Sequence, residues 1–158
     1  MIWTNRLHHA LFGTFSVIAL VVFAMGNNAQ AAPTVIDLTQ TGCQFLEPEG
    51  QDHHFQTNAA EECQAINAKT GSERLSASKP LELKPGSYIF RVTNKNVPYE
   101  LGFYLRGSGL GRLTLPKVSG GGLTTGKTQD YAIDLKEGSY VYSCPLNPTP
   151  DYPIVVKP

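Results

Sequence analysis

GSYVYSCPLNPTPDYPIVV, residues 138–156, reads as strand, loop and strand. Tyr140 and Tyr142 recur at the two-residue period of a strand with one buried face, and that strand delivers Cys144 to its end. Pro145, Pro148 and Pro150 lack the N–H that a ladder needs and mark the loop. The short apolar run Ile154–Val156 then supplies the last strand.

The same period extends back to Pro80. Leu81 and Leu83 lead into Lys84-Pro85-Gly86, where Pro presets the first turn dihedral and Gly supplies a positive φ. Tyr88, Phe90 and Val92 form one face of the next strand, and a turn follows from Asn94 to Pro98. Tyr99, Leu101, Phe103 and Leu105 share the face after it, and Tyr131, Ile133 and Leu135 form another, reversed by Lys136-Glu137-Gly138. Between them the Gly-rich connection Gly107–Gly126 lacks the strand–loop–helix setting and the glycine spacing of a phosphate loop, so it reads as structural. Upstream, Thr34–Lys79 is irregular, with a strand at Val35–Leu38 and a helix predicted over Asn58–Lys69. Asn58 suits its N-cap, Glu61 and Glu62 its positive end, and Gly71 its stop. Ala59, Cys63 and Ile66 fall on one side of that helix, so Cys63 is expected to point inward. Many short strands with turn signals predict an all-β, Greek-key β-sandwich with a short helix in an N-terminal insertion.

The 158 residues leave room for one domain once the N-terminus is set aside. Arg6 and the apolar run Ala10–Met25 resemble the first two regions of a secretory signal, and Ala29-Gln30-Ala31 offers the small-residue cleavage site. The run is shorter than the ~20 residues that span a bilayer comfortably, though a retained anchor is the alternative. The expected organisation is therefore a signal peptide over 1–31 and one domain over 32–158, periplasmic or secreted. Within it, 34–79 holds the first strand and the insertion, and 80–158 the main sandwich strands. No stable membrane span is expected after cleavage. Removing Arg6 from 13 Lys and Arg leaves 12 against 13 Asp and Glu. With no basic run or stripe, neither nucleic acid nor charge-driven binding to a membrane surface is expected.

The chain has 3 cysteines, so one stays unpaired within a monomer. Cys43 and Cys63 share the irregular region and are expected to form a disulfide in an oxidising compartment. A loop of that length contributes on the order of 3 kcal/mol. Cys144 is then the odd thiol.

The pieces LELKPGSYIFRVTNKNVPYELGF and TTGKTQDYAIDLKEGSYVYSC, with the Pro-rich loop and final strand, resemble the cupredoxins, the small β-sandwiches of blue-copper proteins. The resemblance covers Pro80–Pro158, with Val35–Leu38 as the first strand. It implies a cysteine ligand at Cys144, a histidine ligand after the Asn94–Pro98 turn, and a second histidine and an axial Met after the cysteine. This chain places Tyr99 and Asn147 at the histidine positions, with Asp151 or Tyr152 where the Met would stand. A type 1 centre needs two imidazoles and a thiolate, so no metal or other cofactor is expected at these degenerate positions. Asn147 is expected to satisfy loop backbone groups, and Tyr99 to fill the vacated space.

His53 and His54 are the remaining weak metal candidates, beside Asp52 and between Cys43 and Cys63. Adjacent side chains diverge in an extended loop, and oxidised cysteines are not thiolate ligands. The leading expectation is an exported binding module for an unknown periplasmic protein or small ligand. Tyr99, Tyr104, Tyr142, Tyr152 and the loop prolines would form its contact surface. The alternative is a copper-binding or electron-transfer protein with an unconventional site using Cys144 or His53 and His54. No paired carboxylates and no Ser/His/Asp or Cys/His signature point to catalysis, so no catalytic residue is assigned.

Overall fold

The alternating runs are strands, and their buried parity makes the core. The computed structural model describes residues 31–158; the signal peptide expected over 1–31 lies outside the described residues except for Ala31. In chain order the elements are β1 (Thr34–Thr41), β2 (Gln44–Phe45), α1 (Leu46–Glu49), α2 (Ala60–Ala77), β3 (Leu81–Leu83), β4 (Gly86–Asn94), β5 (Leu101–Gly107), a 3-10 turn (Gly109–Leu113), β6 (Val118–Leu123), β7 (Thr128–Leu135), β8 (Gly138–Ser143) and β9 (Tyr152–Val156). They make two mixed sheets, ordered β2-β1-β4-β7 and β3-β9-β8-β5-β6. In the first, β1 runs parallel to β4 and β4 antiparallel to β7. In the second, β8 lies antiparallel between β5 and β9, while β3 runs parallel to β9.

Both sheets send aromatic rings inward. Phe103 on β5 meets Tyr131 of β7 at 5.0 Å between centroids, Phe90 of β4 at 5.8 Å and Phe45 at 6.2 Å. Phe45 also packs edge-on against Tyr142 at 5.2 Å and Tyr152 at 5.8 Å. These rings are almost wholly buried, and edge-to-face packing adds to what their buried area contributes. The pattern is that of a β-sandwich whose inner faces alternate with polar outer ones.

Two elements differ from expectation. The Gly-rich connection contains strand β6, paired antiparallel with β5 through a register shift between Leu101 and Phe103. Gly120 sits so close to the Tyr131 ring that an added Cβ would stand 2.9 Å from it, so glycine is what lets this strand lie over the core. The helix is longer than the short one predicted and begins two residues later. It runs from Ala60 through Gly71 to Ala77, capped by Ala59 without a side-chain bond. Asn58 supplies no cap oxygen; instead its backbone N–H donates to Glu62 Oε2 at 2.8 Å.

The helix continues because its last turns have polar partners. Arg74 forms a bidentate pair with Glu49, Nε to Oε2 at 2.9 Å and Nη2 to Oε1 at 2.7 Å. It also donates to the Cys43 carbonyl at 3.0 Å and to Asn67 Oδ1 at 2.6 Å. The side chains of Arg74 and Glu49 are only 5% and 2% exposed, so each charge is solvated by protein partners, chiefly by the other. Ala31–Pro158 is one compact unit, and a chain starting at Ala32 keeps its core, both sheets and every contact named above. No helix among the described residues is long and apolar enough to cross a membrane.

Arg74→Met should lower unfolding stability by about 3–5 kcal/mol, because it removes the bidentate partner of a buried carboxylate and leaves it only His53 and the Tyr152 hydroxyl. Urea denaturation followed by circular dichroism measures it, and a loss below about 1 kcal/mol, the range of exposed pairs, would show that water solvates Glu49.

Candidate binding site at the Cys144 end

Strand β8 ends at Ser143, and its continuation holds Cys144 between the sheets. The thiol is 1% exposed. Its sulfur accepts the Gly102 N–H at 3.3 Å and the Asn147 N–H at 3.2 Å, while the Cys144 N–H donates to Thr149 Oγ1 at 3.0 Å. The loop Pro145–Asp151 is thereby folded back over the strand end.

Asn147 is fully buried and carries this end of the sandwich. Its Oδ1 accepts from the Tyr99 hydroxyl at 3.0 Å and from the Cys43 N–H at 3.1 Å. Its Nδ2 donates to the Thr41 carbonyl at 3.0 Å. Cys43 and Cys63 form a disulfide, with Cα atoms 5.0 Å apart. The Cys63 sulfur touches Asn147 Oδ1 at 3.0 Å and lies 3.8 Å from the Tyr99 hydroxyl. Tyr99 is half-buried, because it precedes β5 in a bend, and its ring packs against the edge of the core. Asn94 shapes that bend: its Nδ2 donates to the Val97 and Leu123 carbonyls, each at 3.1 Å, and its Oδ1 accepts the Val97 N–H at 2.9 Å.

The structure thus brings together Cys144, Tyr99, Asn147 and the Cys43–Cys63 disulfide. The donor set is one buried thiol, one phenol and one amide, and each is already bonded to protein. That set does not fit a trigonal centre of two imidazoles and a thiolate. His53 belongs to a different cluster, with Nε2 2.8 Å from Glu49 Oε2 and its ring stacked on Phe55 at 5.4 Å. His54 turns away to solvent at a positive φ of 56°, its side chain 82% exposed. Among the described residues no group of three or more His, Cys, Asp or Glu side chains is placed to share a metal ion.

The expected contact surface needs correction. Tyr142 and Tyr152 are completely buried, since their parity on β8 and β9 faces the core. The Tyr152 hydroxyl donates to Glu49. Tyr104 stays half-buried on the outer face of β5, under the Arg106 guanidinium at 4.6 Å. Beside it a groove of about 740 Å³ runs along β5 and β6 to the Cys144 loop, walled by Gly102, Tyr104, Lys117, Gly120, Gly121 and Leu146. Sequence reasoning missed this groove because its floor is glycine. Its one visible signal was Leu146, an apolar residue among prolines, which is 43% exposed.

No protein-family model matches the chain, and no curated protein matches it.

Burial governs the acid–base behaviour of this end. It pushes the Cys144 thiol above its ordinary 9.0, with the Gly102, Asn147 and Leu146 N–H groups working in the opposite direction. Burial likewise raises Tyr99, Tyr131, Tyr140, Tyr142 and Tyr152 above the ordinary 10.0. For Tyr152 the hydrogen bond to Glu49 adds to the effect.

Asn147→Ala should cost about 3 kcal/mol or more, because it strands the Cys43 N–H and the Thr41 carbonyl and leaves the Tyr99 hydroxyl only Thr57 Oγ1. Urea titration of the variant measures the loss, and an unchanged midpoint would mean that these groups find other partners.

The raised thiol and phenols also set an alkaline limit. Unfolded, these groups ionise near 9.0 and 10.0, whereas folded they hold their protons to higher pH. Their stabilisation is therefore whole below about pH 9 and is lost as pH rises through the folded values. The urea midpoint should be flat from about pH 7 to 8.5 and fall steadily above about pH 9. Tyrosinate absorbance from the buried rings should appear together with loss of the native fold; full ionisation of all tyrosines in a still-folded chain would contradict this.

Proposed function

We propose that this protein is an exported binding module on a Greek-key, cupredoxin-like sandwich whose metal end has been converted into a structural plug. One observation carries the reading: the two residues at the histidine positions, Tyr99 and Asn147, are hydrogen-bonded to each other at 3.0 Å and pressed against the disulfide. A liganding residue keeps a lone pair directed at its metal; here the lone pairs and protons are spent on protein partners. The disulfide supports an oxidising location, and with the leader-like residues 1–31 it favours the periplasm or the extracellular space.

The groove beside the plug is the surface that such a module has left to use. Glycines at Gly102 and Gly121 let a ligand approach the backbone closely, Leu146 and Tyr104 supply apolar walls, and Lys117 supplies a cation. An extended apolar segment or small apolar ligand carrying an acidic group fits that lining.

Titration of residues 32–158 with one equivalent of Cu(I) or Cu(II) should leave the melting temperature and the visible spectrum unchanged. Tight binding with a raised melting temperature would overturn the reading. An anionic apolar dye, 1-anilinonaphthalene-8-sulfonate, should bind the folded protein and lose at least about tenfold in affinity in Leu146→Asp, which removes an apolar wall and repels the sulfonate. Equal dye affinity in the variant would remove the groove from the proposal.

A further inference from the structure

The opposite end of the sandwich carries a different feature. Strand β5 ends at Gly107, and the 3-10 turn Gly109–Leu113 presents Leu110 and Leu113 to solvent, 88% and 87% exposed. Residues three apart on a 3-10 helix lie one above the other, so the two side chains form a single apolar knob. Isolated exposed leucines are ordinary on protein surfaces, but this pair is held up by a built loop. Ser108 N–H donates to the Ser139 carbonyl at 2.8 Å, and Leu115 N–H to the Gly111 carbonyl at 2.9 Å. The Leu115 side chain fills the space beside Gly111 and Gly138. Leu115 therefore faces in, and Leu110 and Leu113 face out.

The strand registers set what surrounds the knob. Gly107 lies opposite Tyr140 on β8, Gly138 opposite Val156, Gly86 opposite Leu135, and Leu105 opposite Val118. The Lys84-Pro85 turn, the Lys136-Glu137 turn, Arg112 and Lys117 consequently gather at this end, and all four cations are exposed. Among the described residues none of the four is in an ion pair. The neighbouring acids are Asp134, which accepts from the Ser87 hydroxyl, Glu82, paired with Lys157, and exposed Glu137. Scattered along the sequence, these cations make no basic run; the fold is what collects them. The chain also enters the sandwich here, since Thr34 pairs with Tyr88 at the start of β4.

We propose that this end docks on an anionic lipid bilayer, with Leu110 and Leu113 entering the acyl boundary and Lys84, Arg112, Lys117 and Lys136 facing the headgroup phosphates. Apolar side chains flanked by cations are the combination that binds at a bilayer interface, one part by burial and the other by charge. A cation close to an anionic surface tightens binding by about fivefold, an effect that salt screens.

Co-sedimentation of residues 32–158 with phosphatidylglycerol/phosphatidylethanolamine vesicles, against phosphatidylcholine vesicles, tests this. Binding should be selective for the anionic vesicles and weaken as salt rises. Leu110→Ser with Leu113→Ser should abolish it at low salt, with the melting temperature unchanged because both side chains are already in water. Arg112→Glu with Lys136→Glu should weaken it by more than about 25-fold, two cations at about fivefold each. Leu146→Asp, on the groove, should bind vesicles as the parent does, which separates this surface from the groove. The proposal is overturned if the parent ignores anionic vesicles or if the double serine variant binds them equally well. It is also overturned if the knob instead pairs copies, seen as concentration-dependent dimers that the serine variant abolishes while vesicles stay unbound.

Discussion

One buried amide holds the Cys144 end of this protein together. Asn147 lies in the loop between β8 and β9, yet its side chain bonds to the end of β1, to the turn after it and to the bend before β5. It thus joins the two sheets where no ladder can. Its Oδ1 takes two donors at once, the Tyr99 hydroxyl and the Cys43 N–H. An amide oxygen has two lone pairs for this, whereas an imidazole nitrogen has one. The residue that suits a metal is therefore not the one that suits this junction. Every polar group of the Asn147 side chain that faces the protein has a partner, which is the condition for a buried polar network to stabilise a fold.

The disulfide and the buried ion pair do for α2 what an apolar stripe does for an ordinary surface helix. The inward side of α2 carries Cys63, Asn67 and Arg74, and each is fixed by a specific partner: Cys43, the Pro148 carbonyl and Glu49. Apolar burial is non-directional and lets a helix slide; a covalent bond and a bidentate pair do not. The buried charges cost desolvation that their attraction must offset, and the disulfide acts mainly on the unfolded chain. Placement is what the combination secures. It sets the Cys63 sulfur against Asn147 and brings the Arg74 guanidinium onto the Cys43 carbonyl, so the helix and the plug position each other.

The parts of this architecture that are legible in the sequence are those where side-chain type reports burial directly. Tyr88-Phe90-Val92 and Tyr131-Ile133-Leu135 alternate with polar residues, and both runs are strands with that face inward. The Cys43–Cys63 pairing is legible because those two share one stretch of the chain and Cys144 lies far along the sequence from both. Strand β6 is not legible: Gly120, Gly121 and Gly122 have no side chains to alternate, and the strand exists because β5 offers a ladder and Tyr131 leaves no room for a Cβ. The run of α2 past Gly71 depends on Arg74 meeting Glu49, a partner 25 positions away that no local pattern reveals. Residue type does not separate surface from core for Tyr142 and Tyr152, because tyrosine suits both. Strand parity, visible at Tyr140 and Tyr142, is the better guide.

The closed hydrogen-bond network at the Cys144 end has a consequence for where a ligand can bind. A thiol that accepts two backbone N–H groups and stays protonated at neutral pH offers a ligand nothing, and the amide and phenol beside it are equally occupied. For the proposed binding module, selectivity would then come from surfaces that the plug holds rigid. The groove along β5 and β6 begins at Lys117, one of the cations around the leucine knob, and ends at Leu146, on the loop that Asn147 anchors. The two surfaces therefore meet at Lys117, one end of the groove being fixed by the plug and the other opening toward the knob. A phosphate near Lys117 would reduce the positive charge available to an acidic ligand in the groove, while an acidic ligand would weaken Lys117 as a phosphate contact. Two occupants of opposite ends of β6 would thus oppose each other through one side chain, without any movement of the sandwich between them.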